Sequence, residues 1–200
     1  MLTINFEMGQ NGITVPYPPI SDEIRCNHGF VDLRGRPDLA AEIPEGLKSR
    51  ALKELLVRLS ETDSNLFTLG CDLGSHEEPE SKKECRYVAG GYLQLMDASY
   101  QDRLPGDYYE LGRTIARVLK DDHGSHNWIL NFVLTPVHFN LDEFCSLTGS
   151  LWIWFYASSH SPKRALKSRE MLIKKIHAAV IGKYPTVATG DPSETLTQRQ

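Results

Sequence analysis

Residues 123–162 contain no lysine or arginine and two acids, Asp142 and Glu143, in a chain that otherwise spreads 22 basic and 26 acidic side chains along its 200 residues. A stretch of that length with so little charge has to form the interior of the fold. Within it, Trp128 to Phe139 and Leu151 to Ala157 are apolar at successive rather than alternating positions. Both faces of each run therefore need cover, which predicts two central strands of one sheet. In the second run Leu151, Ile153 and Phe155 share one face, and Trp152, Trp154 and Tyr156 share the other. If helices cover the aliphatic face, the aromatic face needs a different cover: the irregular segment from Pro16 to Pro44, a partner protein, or a second copy of the chain.

The flanking sequence supplies the rest of an α+β layer. Leu2, Ile4, Phe6 and Met8 alternate with polar residues as in a half-buried strand, and Gly9-Gln10-Asn11-Gly12 predicts a hairpin turn into Ile13 to Tyr17. Pro16 to Pro44 reads as a long connection with room for one short edge strand around Phe30 to Leu33. Leu47, Ala51, Leu52, Leu55, Leu56 and Leu59 recur at helical spacing and predict a helix from about Glu45 to Ser60. Strands follow at Leu66 to Leu73 and Tyr87 to Asp97, joined by the charged loop Gly74 to Glu84. Asp107 with Glu110 opens a second helix, striped by Tyr108, Leu111, Ile115, Val118 and Leu119, that runs to about Asp122 and stops at Gly124. Pro162 opens a third, with Leu166, Ile173, Ile176 and Val180 facing inward.

The order ββα-ββα-ββα implies an α+β fold: a mainly antiparallel or mixed sheet of about five to seven strands with about three helices. Residues 1–184 read as one domain, and 185–200 as a polar tail expected to be disordered.

The exclusions are more specific than the positive signals. Cys26, Cys71, Cys85 and Cys145 lie 45, 14 and 60 residues apart, so no C-x-x-C pair exists for zinc or dithiol chemistry. They are expected to be free thiols in a reducing, cytoplasmic setting. No apolar run is long enough for a membrane span and no leader pattern opens the chain, so no membrane partner is expected. The nucleotide-binding glycine patterns, G-x-S-x-G and H-E-x-x-H are all missing, and nothing calls for a cofactor.

Four local clusters could carry chemistry. Asp121, Asp122, His123 and His126 are metal-ligating or acid/base residue types gathered where a helix ends, with His123, His126 and Asp122 the candidate ligands. Glu77, Glu78, Glu80 and Glu84 crowd a solvated loop without apolar walls to shift their pKa values. Cys145 pairs with His138 only if the fold brings them together. Lys163, Arg164, Lys167, Arg169, Lys174 and Lys175 make the last helix basic, yet the net charge of -4 and the lack of any accompanying aromatic RNA-binding string disfavour nucleic acid.

The reading that accounts for most of these features is a non-catalytic protein-binding module, of the kind to which immunity proteins, antitoxins and adaptors belong, acting on a protein partner or as a homo-oligomer through Trp152, Trp154 and Tyr156. The competing reading is an enzyme centred on Asp121, Asp122, His123 and His126.

Overall fold

In the computed structural model, which describes residues 1–21, 26–77, 87–99, 103–121, 124, 126–141 and 144–183, the two charge-poor runs lie in the middle of one six-stranded sheet. The strands are β1 (Leu2–Met8), β2 (Ile13–Val15), β5 (Leu66–Glu77), β6 (Tyr87–Asp97), β7 (Trp128–Leu141) and β8 (Phe144–Ser159); β3 (Ile20–Ser21) and β4 (Cys26–Asn27) form a separate small ladder. The main order is β1-β7-β8-β6-β5, antiparallel except that β1 and β2 run parallel to β7. The sheet is thus mixed and mostly antiparallel, as expected.

Helices α3 (Arg50–Ser60), α4 (Tyr109–Lys120) and α5 (Pro162–Lys183) form a layer on one face, beside the short α1 (Pro37–Ala40) and α2 (Pro44–Lys48). Helix α5 is central in that layer: it touches β8 and β6 below and both α3 and α4 at its sides. Leu130, Phe132, Leu151, Ile153, Phe155, Leu93 and Leu95 rise from the sheet into the main core. Trp128 joins them at 1% exposure, its indole Nε1–H donating to Ser168 Oγ at 2.8 Å. Gly112 is the point of closest approach of α4, since a Cβ there would lie 2.7 Å from Phe6 Cε1.

The structure corrects several local expectations. Gly9 to Gly12 is not a hairpin turn. The backbone N–H of Gly9 donates to the Leu134 carbonyl at 2.8 Å, and after the break β2 resumes in the same direction along the same neighbour. The gap in pairing lies opposite Thr135 and Pro136, and a proline has no N–H to offer a ladder.

The helix expected from Glu45 is split at Ser49, whose hydroxyl accepts from the N–H of Leu52 at 3.1 Å and so caps α3. Leu47, left on the preceding turn, is 70% exposed. Asp107 does not cap its helix from outside: the chain enters through the 3-10 turn Pro105–Tyr108, and Asp107 reaches back to accept from the N–H of Leu104 at 2.8 Å. On α5, Leu166 is exposed, while Ala165, Arg169 and Leu172 join Ile173, Ile176 and Val180 on the buried stripe.

Candidate binding face

Strand alternation sends a second set of side chains to the face without helices. At one end of that face Val15, Phe67, Leu69, Met96, Val137 and Phe139 form a smaller core, closed by Ile13, Tyr17 and Phe30 from the connection after β1. That connection turns on Gly29, whose φ of +84° suits a residue without Cβ. Arg34 lies over this small core, its guanidinium carbon 5.0 Å from the Phe67 ring centroid and 5.8 Å from that of Phe139. Asp32 grips it through hydrogen bonds of 2.8 and 2.6 Å. Burial alone would raise the Asp32 pKa, but the Arg34 hydrogen bonds and charge hold it below the ordinary value. The expected irregular segment is therefore a cover, but a partial one.

Next along the face comes a polar link. Gln94, 1% exposed, donates from Nε2 to Ser150 Oγ at 2.8 Å, which in turn reaches the Thr135 carbonyl at 3.4 Å. Beyond it the described residues cover the face only in part. Trp152 and Trp154 stack with ring centroids 5.6 Å apart and planes 13° from parallel, and Tyr92 of β6 lies 4.9 Å from each. Register explains the cluster, because Tyr92 sits opposite Trp154 and Gln94 opposite Trp152. All three rings are half-buried, and so is Tyr156, whose ring passes over Gly90 so closely that a Cβ there would lie 2.6 Å from Tyr156 Cδ1. Ile129, opposite Tyr156 on β7, is 38% exposed. Trp152 Nε1 is buried and has no hydrogen-bond acceptor among the described residues.

At the β5 edge the same face meets a pocket of 180 Å³ lined by Tyr17, Tyr92, Glu45, Cys71 and Asp72 among others. A bulge between Thr68 and Gly70 bends β5 here, and the Tyr17 hydroxyl donates to the Leu69 carbonyl at 2.8 Å. Burial pushes the Cys71 thiol up to about 12, with the Glu45 and Asp72 charges adding to it, and raises the Tyr92 and Tyr17 hydroxyls as well. A thiol so protonated is a poor nucleophile. Tyr92 and this pocket were not legible as candidates, because their walls come from segments far apart in the chain; the local hint was an aromatic residue after Gly90-Gly91 in a strand.

The other candidates are dispersed. Asp121 is exposed at the end of α4, and His126 stacks on Trp128 with centroids 4.1 Å apart and planes 9° from parallel. Asp122 and His123 lie outside the described residues, as do Glu78, Glu80 and Glu84 and the side chain of Cys145. Among the described residues no three His, Cys, Asp or Glu side chains are gathered as a metal would require. Lys163, Arg164, Lys167 and Lys174 are exposed on α5 and Lys175 is half-buried, but Arg169 departs from this basic face and is 4% exposed inside. No helix among the described residues is long and apolar enough to cross a membrane. Comparison with protein-family models, with curated proteins and with solved structures returns no match to this chain.

Proposed function

We propose that the chain is a protein-binding module, comparable in kind to an immunity protein, antitoxin or adaptor, which holds its partner against the helix-free sheet face through Trp152, Trp154 and Tyr156, joined by Tyr92. The carrying observation is the cluster of Tyr92 with the stacked Trp152 and Trp154, half-exposed beside a smaller core that does not include them. Large aromatic rings desolvate much apolar area with few side-chain rotors to freeze, and such residues dominate binding energy at protein interfaces. Among the described residues that line the pockets beside the three rings there is none of the positive charge that phosphate-rich partners select.

The test pairs capture with folding. The native chain and a Lys167→Ala control, altered on the opposite layer, should retain the same partner by mass spectrometry, and the Trp152→Ala/Trp154→Ala variant should lose it. That variant should also stay folded and lose less stability than Phe155→Ala, which removes a ring at 1% exposure and should cost about 3–5 kcal/mol. Retained capture by the double variant, or a strictly monomeric chain with no reproducible partner, would overturn the reading.

A further inference from the structure

Three cavities share walls, two on the helix-free face and one at the β5 edge, which Pro44 and Glu45 of α2 also line. Ile13 and Trp152 stand between a 230 Å³ pocket over Val133 and Thr135 and a 460 Å³ pocket beneath Pro16 to Ile20. Tyr17, Asn27 and Tyr92 stand between the latter and the 180 Å³ pocket at the β5 edge. Together they form a trough that crosses β7, β8, β6 and β5, a span of about 15–20 Å at the usual strand spacing. About five or six residues of extended chain fill that length.

The trough has an electrical polarity. Glu45 and Asp72 line its β5 end, and among its described lining residues there is no lysine or arginine, His28 being the sole ionisable nitrogen. Neither acid has an ion-pair partner among the described residues; Asp72 Oδ1 accepts only from the N–H of Leu73, at 2.7 Å. Two carboxylates beside two tyrosine rings without a counter-ion differ from what the molecule does farther along the same face. There Arg34 lies over Phe67 and Phe139 with Asp32 beside it. At the β5 end two tyrosines and two carboxylates line one pocket with no lysine or arginine beside them among the described residues.

Resting on the function proposed above, we infer that the occupant of this trough is an extended segment of the partner protein carrying a basic side chain, seated at Tyr17 and Tyr92 beside Asp72 and Glu45. A cation over aromatic faces is held by the ring quadrupoles, and more strongly where water is excluded.

The chain has three tryptophans, so the indole region of a ¹⁵N–¹H spectrum holds three peaks, with Trp128, buried and bonded to Ser168, as the internal reference. The probes are a capped hexapeptide of leucine, proline and glycine with one central arginine, its citrulline twin, and N-acetylarginine amide. The arginine peptide should move the Trp152 and Trp154 peaks, leave that of Trp128 in place, and bind at least fivefold more tightly than the citrulline twin. Glu45→Gln/Asp72→Asn should abolish that difference while leaving citrulline-peptide affinity unchanged. Equal binding of the two peptides, or no movement with either at millimolar concentration, overturns the inference; so does arginine amide binding as tightly as the peptide, which would mark a site for small cations. These failures are separable from failure of the function: if the peptides do not bind but the double tryptophan variant still loses its partner, only the occupant is wrong.

Discussion

His177 shows how one side chain ties the helix layer to pH. Burial holds its pKa below the ordinary 6.5; the Glu54 charge opposes this and that of Arg58 adds to it. The neutral ring is thus the form the fold prefers. As pH falls below 6.5 the unfolded chain takes up a proton that the folded chain still refuses, so the equilibrium tilts toward unfolding. The contribution is absent above that pH and grows until the folded-state pKa is passed. His177→Gln should therefore lose less of its urea midpoint than the native chain between about pH 7 and about pH 5, with an unchanged m-value. Parallel losses would mean that the ring titrates alike in both states. This residue drew no notice in the sequence, where a histidine between Ile176 and Ala178 carries no sign of which charges will stand beside it.

At the scale of elements, Gly112 sets how near α4 lies to the sheet. A glycine inside a helix costs about 1 kcal/mol relative to alanine, so Gly112→Ala in open surroundings would stabilise. Here the added methyl meets the Phe6 ring at 2.7 Å, with Phe132 Cδ1 3.5 Å away. Overpacking then outweighs propensity, and Gly112→Ala should destabilise by about 1–3 kcal/mol. Phe6→Leu should offset part of that loss, which a double-mutant cycle would report as a favourable coupling energy.

The elements differ in how far the sequence revealed them. β7 and β8 were legible because runs such as Trp128 to Phe132 and Leu151 to Ala157 leave no polar face for water. The three main helices were legible from their spacing, although the break at Ser49 and the burial of Arg169 were not. The partnership of β1 and β2 with β7 was illegible, because a glycine-bounded tetrapeptide looks like a hairpin turn and nothing local announces a parallel neighbour beginning at Trp128. Half of the candidate face, Trp152, Trp154 and Tyr156, could be read from strand alternation; the other half, Tyr92 and the β5 pocket, depends on register between strands.

For the molecule as a whole, the helix layer is joined across the chain by a carboxylate. Glu170 Oε2 accepts from the N–H of Ala51 at 3.1 Å, placing negative charge at the N-terminus of α3, where the helix dipole favours it. The neighbouring Arg169 is buried, its Nε has no hydrogen-bond partner among the described residues, and its guanidinium stands 3.8 Å from Glu170. Burial lowers the Arg169 pKa, against the Glu170 charge that raises it. A buried guanidinium so poorly partnered adds little to stability. Arg169→Met, similar in reach, should be neutral or stabilising by about 1 kcal/mol, whereas Glu170→Ala should cost about 2–3 kcal/mol by uncapping α3 and leaving Arg169 without its counter-charge. Denaturant midpoints of the two variants distinguish this from a simple ion pair, in which both losses would be alike.

The parallel pairing of Leu2 with Trp128 has a consequence in time. A ribosome adding about 5–20 residues per second needs on the order of ten seconds to make the intervening chain. During that interval the apolar side of β1 has no ladder to join, and closing so long a loop carries an entropic cost that short hairpins avoid. The β5–β6 and β7–β8 hairpins form from neighbours, but β1 cannot dock until Trp128 and the residues after it are made. The order of synthesis and the order of assembly thus differ at this edge of the sheet.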